Sequence, residues 1–155
     1  GKNKLNAELG RVAALASSGV HALPELLQAL RHSDAAVRYW GATGVGNIGK
    51  PVAYTKPAMI EALKDSSPSV RIAVARALGK LGFPEQALPT LEAELKSEHQ
   101  WGRLAAAIVL DEMNEQARSA IPALKQALVK QPNKYIVRVA NRAINELQGT
   151  QNTVP

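Results

Sequence analysis

At 155 residues the chain is long enough for one domain with a sizeable core; it has no cysteine, which excludes disulfides and thiol chemistry. No apolar run approaches the roughly 18 residues that a bilayer-spanning helix needs. The net charge of +6 is compatible with an anionic partner, but the cations are dispersed singly with no Lys/Arg block, which argues against a stripe that tracks nucleic-acid phosphates.

The first predicted element is a helix over residues 4–17, with Leu5, Leu9, Val12, Ala13 and Ala16 on one face. It has no partner upstream and reads as the closing helix of a preceding unit or as a cap. Residues 21–49 then form a helix pair. Leu26, Leu27 and Leu30 mark the apolar side of its first helix. Val37, Trp40, Val45 and Ile48 mark the second, with Trp40 expected to fill the room left by Gly41 and Gly44.

A second pair covers 54–82. Val70, Ala73, Val74, Ala77, Leu78 and Leu81 follow the i, i+3, i+4, i+7 rule, Asp65-Ser66-Ser67 supplies cap chemistry, and Gly82 is placed to end the helix in the left-handed region. A third pair, 84–114, departs from this pattern, with Glu98-His99 in the turn and Trp101-Gly102 at the helix start; Trp101 is expected to be partly exposed. The fourth, 119–149, is ambiguous in register. Arg138 fits the local motif, but the apolar face of Ile136, Val139, Ala140, Ala143, Ile144 and Leu147 aligns Arg142 with Arg76 and leaves Arg138 one position off. The polar tail, 150–155, is expected to fray.

These pairs repeat. His32-Ser-Asp-Ala-Ala-Val-Arg38 matches Asp65-Ser-Ser-Pro-Ser-Val-Arg71 at an offset of 33, and Arg103 and Arg138 follow at 32 and 35. Pro24, Pro57, Pro89 and Pro122 recur at 33, 32 and 33. Proline is tolerated in a first helical turn and excluded from a helix interior, so these four predict helix starts. Neither helix of such a unit can bury its apolar face alone, whereas stacked units bury a continuous layer.

Proline opening the first helix and Asp-x-x-Val-Arg opening the second resemble the HEAT-repeat family over residues 20–149. The short period resembles the compact HEAT-like repeats of bacterial proteins. The resemblance implies an all-α fold, a right-handed α-solenoid of about four HEAT-like helix-turn-helix repeats plus the N-terminal partial repeat helix, forming a single domain over 4–149. It implies that the second helices line the concave surface. It also implies a structural ladder of Arg38, Arg71 and Arg103, donating to helix-end carbonyls or turn carboxylates, with Asp34 and Asp65 as acceptors; an anion-binding ladder is the functional alternative.

A helical wheel turns Tyr39, Thr43, Asn47, Arg76, Lys80, Asp111, Arg142 and Glu146 away from the core. Tyr39, Thr43, Arg76, Lys80, Trp101 and Arg142 are the candidate binding residues, an aromatic and cationic set suited to a glycan, a carboxylate or an acidic protein surface. A solvated face with no ligand is the plain alternative.

Catalytic motifs fail on context. Gly44-Val-Gly-Asn-Ile-Gly49-Lys50 satisfies G-x-G-x-x-G, but a helix precedes it and Pro51 stands where a P-loop needs Ser or Thr. His21, His32 and His99 lie one to a segment without converging ligands, so neither metal nor cofactor is expected.

Val37 to Gly44, with Leu15-Ala-Ser-Ser18 before it and Ser-Pro-Ser-Val-Arg-Ile-Ala after it, also resembles the C-terminal HEAT-like extension of some bacterial arylsulfatase-type enzymes. That implies an accessory domain of a larger protein, periplasmic or secreted; a free scaffold would instead be cytoplasmic. Ser66-Ser-Pro-Ser-Val-Arg71 is close to the sulfatase signature but is interrupted by Val70 and is not catalytic. The expectation is a non-catalytic scaffold whose partner is a protein or an adjacent domain of the same chain, or an acidic glycan. Two further readings are nucleic-acid binding of the HEAT-like DNA-glycosylase type and, ranked lowest, a HEAT-like lyase or chromophore-handling protein using Asp111 and Glu112, whose adjacent side chains diverge on a helix.

Overall fold

The computed structural model describes residues 1–50, 53–129 and 131–155. Pro51, which closes the glycine-rich run, lies outside the described residues. These residues are helical or irregular, with no strand among them, and no helix is long and apolar enough to cross a membrane. They group into two compact units, Gly1–Phe83 and Pro84–Pro155.

The first unit contains α1 (Lys2–Leu15), a 3-10 turn (Val20–Ala22), α2 (Leu23–Ala29), α3 (Ala35–Ile48), α4 (Thr55–Ala62) and α5 (Pro68–Lys80). Helix α3 packs against α1, α2 and α5, and α4 packs on α5. All six apolar positions read from the α5 periodicity are buried, together with Ile72 and Ala75. Gly82, with φ of 84°, closes α5: Phe83 N donates to Leu78 O and Gly82 N to Gly79 O, the paired bonds of a Schellman end.

Glycine sets how closely α3 is approached. A Cβ at Gly41 would lie 2.9 Å from Leu26 O, one at Gly44 2.5 Å from Leu26 Cδ2, and one at Gly46 3.0 Å from the Cα of Ala77. The room left by Gly41 and Gly44 is therefore taken by α2. Trp40, expected to fill it, is instead 37% exposed and meets the Tyr39 ring edge-on at 5.6 Å.

The second unit contains α6 (Pro84–Leu95), α7 (Gln100–Glu112), a 3-10 segment (Asn114–Ala120), α8 (Ile121–Gln126) and α9 (Lys134–Gln148). Helix α6 packs on α7, and α9 packs on α7 and α8. Ile136, Ala140, Ala143, Ile144 and Leu147 are buried, and Val139 is half-buried.

Pro24, Pro57 and Pro122 lie within the first three residues of α2, α4 and α8, but Pro89 does not open a helix. Helix α6 begins at Pro84, where proline is equally well suited, and runs through Pro89 in its interior. The tail also departs from expectation, because residue 152 is hydrogen-bonded back onto α9.

Candidate functional site

The repeated arginines occupy one local position. Arg38, Arg71 and Arg103 are each the fourth residue of their helix, and each donates its backbone N–H to the N-cap carbonyl, of Asp34, Ser67 and His99 respectively. In α9 that position belongs to Val137, bonded to Asn133 O, so Arg138 stands one residue further round. From the fourth position the guanidinium folds back over the preceding turn. Nη1 of Arg38 donates to His32 O (2.9 Å), that of Arg71 to Asp65 O (2.7 Å) and that of Arg103 to Ser97 O (2.6 Å). These carbonyls follow the end of the preceding helix, where backbone acceptors lack intrahelical donors.

Arg38 also reaches the next turn, donating Nε to Asp65 Oδ2 (2.7 Å) and Nη2 to Asp65 Oδ1 (3.0 Å). This hydrogen-bonded pairing raises the Arg38 pKa and is the main cause that holds the Asp65 carboxyl below its ordinary range, with Ser67 N–H adding to it against the opposing effect of burial. Asp34, expected to serve an arginine, accepts from Ala36 N (2.8 Å) and caps α3. In the third turn, Arg103 Nε and Ser97 Oγ are buried without a partner among the described residues.

The predicted binding residues fall in both units. In the first, Tyr39 is exposed, Thr43 and Arg76 are half-buried, and Lys80 is exposed with Nζ 3.4 Å from Asn47 Oδ1 on α3. In the first turn of α4, Lys56 Nζ stands 4.5 Å from the centre of the Phe83 ring, which lies just past the end of α5. In the second unit Trp101 is 71% exposed at the start of α7.

Asp111 does not project into solvent as the helical wheel implied. It is only 6% exposed and pairs with Arg142, whose Nε lies 3.1 Å from Oδ1 and whose Nη2 bonds Oδ2. Helix α9 packs on α7 and brings the two together, while Glu112 beside Asp111 is exposed. Two polar residues that sequence reasoning passed over, Asn141 and Asn145, hold the tail. Their signal was positional: the residues at these places in α3 are Ala42 and Gly46, small enough for a neighbouring helix.

Charge divides unevenly. Residues 1–83 carry 11 Lys and Arg against five Asp and Glu, and residues 84–155 carry eight of each, so the whole net charge belongs to the first unit. All five acids there are engaged: Glu8 and Glu25 with Arg11, Glu61 with Lys64, Asp65 with Arg38, and Asp34 as a cap.

No curated protein matches the chain. The family model for HEAT repeats matches residues 23–111, more than half of the chain and the stretch containing all three folded-back arginines. The chain belongs to the HEAT-repeat family.

Proposed function

We propose that the chain is a non-catalytic scaffold that binds an acidic segment of another protein, or of an adjacent domain of the same chain, on the α3–α5 side of the first unit. The observation that carries this reading is the charge division: every acid of that unit is already engaged, while Lys50 follows the end of α3, Lys80 ends α5 with Nζ 3.4 Å from Asn47 Oδ1 on α3, and Lys56 lies in the first turn of α4 over the Phe83 ring. The edge-on Tyr39 and Trp40 rings add exposed aromatic surface to the same helix. An accessory role beside a larger enzyme of the arylsulfatase type is one form of this reading.

The test is a titration of the chain, in a Trp101→Phe background so that Trp40 alone reports, with a glutamate-rich peptide, with a sulfated glycan and with duplex DNA, each at about 50 mM and 200 mM salt. The proposal expects the peptide to change Trp40 emission and Lys80→Glu to weaken that binding. Tight DNA binding with a steep salt slope and no peptide response would transfer the site to nucleic acid, and a sulfated glycan binding alone would transfer it to carbohydrate. No response to any probe sinks the reading.

A further inference from the structure

Helix α9 grips a peptide backbone. Asn145 Oδ1 accepts from Asn152 N (3.0 Å), and Asn145 Nδ2 donates to Asn152 O (2.9 Å). Asn141 Nδ2 donates to the same carbonyl (2.8 Å), and Thr150 Oγ1 donates to Asn145 Oδ1 (2.8 Å). Both helix asparagines thus meet residue 152 through its main chain. A primary amide matches a peptide group donor to acceptor, so this contact reads an extended backbone and takes any residue except proline. Beside it lies a cleft of about 430 Å³, walled by Arg138, Arg142 and Glu146 on the helix and by Thr153 and Val154 on the tail. Arg142 is engaged with Asp111, whereas Arg138 is exposed with no carboxylate paired to it among the described residues.

We propose that this face of α9 is a clamp for extended peptides carrying an acidic side chain, and that residues 150–154 are its internal ligand. The tail is suited to displacement. Residues 150–153 are exposed, only Val154 is half-buried, and the tail is irregular rather than helical, which are features of a segment that opens locally at low free-energy cost. Arg138 supplies the charge preference, because a carboxylate on the residue in place of Thr153 would enter the cleft that Arg138 lines. The proposal extends the reading of the second helices as partner-facing, but it stands on the second unit and uses no residue of α3 or α5.

An internal ligand lowers the apparent affinity for an external one by the fraction of chain in which the clamp is open. The full chain carrying Asn152→Pro deletes the N–H that donates to Asn145 Oδ1, one of the three bonds residue 152 makes to α9, and so raises the fraction of chain with an open clamp without altering α9. A blocked peptide with the tail sequence Thr-Gln-Asn-Thr-Val-Pro is expected to bind this variant roughly tenfold or more tightly than it binds the unaltered chain. Adding Asn145→Ala should abolish the binding. A peptide with Asp in place of Thr153 should bind more tightly still, and Arg138→Ala should remove that gain. If the open variant binds neither peptide, or binds both as the unaltered chain does, the tail is a fixed cap and the proposal fails. Because Trp40 is remote from this clamp in sequence and unit, the acidic-peptide titration at α3–α5 remains a separate readout.

Discussion

Arg38 and Asp65 stand 27 residues apart in sequence and share two hydrogen bonds, with both side chains mostly buried. The pair ties the α3 start to the turn before α5, while the same arginine holds the carbonyls of its own turn. One guanidinium therefore fixes two successive turns, which a lysine with a single ammonium could not do with the same geometry.

Removing Asp65 strands a largely buried guanidinium and deletes the acceptor for Ser67 N. Asp65→Ala should destabilise the fold by about 2–4 kcal/mol in urea unfolding. In a double-mutant cycle with Arg38→Ala the two losses should be strongly non-additive. Additive losses would mean that the contact contributes nothing as a pair.

The same carboxyl sets an acid limb. Its folded pKa lies below its unfolded value, so its stabilising contribution is complete above the ordinary carboxylate range of about 4 and is lost as pH falls through the depressed folded value. The unaltered chain should lose stability more steeply below about pH 4 than Asp65→Asn does. Urea midpoints measured from pH 7 down to pH 3 check this, and parallel profiles would assign the acid limb to other groups.

Two glycine-to-alanine changes should have opposite signs. Gly10 in α1 has nothing within 4 Å of an added Cβ, so alanine there should stabilise by about 0.5–1 kcal/mol through helix propensity alone. At Gly44 the same methyl meets Leu26 Cδ2 at 2.5 Å and the Ala16 Cα at 3.1 Å, and overpacking should give a net loss of about 1–3 kcal/mol. Thermal unfolding of the two variants separates propensity from packing.

Arg142 and Arg138 differ in burial of what they face. Arg142→Ala leaves Asp111 buried without its guanidinium and should cost about 1–3 kcal/mol, although water reaching the vacated space limits the loss. Arg138→Ala, on an exposed side chain, should fall within about 0.5 kcal/mol of the unaltered chain. Equal effects would mean that the Asp111 contact is not maintained in solution.

What could be read from sequence was local. The α5 stripe from Val70 to Leu81 and the recurrence of Arg38, Arg71 and Arg103 follow from helical period and repeat spacing, which a linear chain displays directly. What could not be read was which neighbour a side chain meets. A helical wheel turns Asp111 outward because it does not contain α9, and it assigns Trp40 to the glycine gap because it does not contain α2. The tail was illegible for a different reason: Thr150, Asn152 and Thr153 have the polar composition of a frayed end, and only the geometry of Asn141 and Asn145 ties Thr150 and Asn152 to α9.

Pro89 offers a last separation of spacing from structure. Its repeat phase matches that of Pro24, Pro57 and Pro122, yet it lies inside α6, where it can donate no hydrogen bond to the carbonyl of Glu85 and its ring crowds that turn. A proline in a helix interior costs about 3 kcal/mol relative to alanine, partly offset by about 0.4–1 kcal/mol because it also restricts the unfolded chain. The side chain is exposed, so little packing is lost on replacement. Pro89→Ala should therefore stabilise the fold by about 2 kcal/mol or slightly more, raising the urea midpoint with an unchanged slope. Pro122→Ala, at the second residue of α8, should have no comparable benefit because its missing N–H has no intrahelical acceptor. If both substitutions behave alike, α6 starts near Pro89 in solution rather than at Pro84.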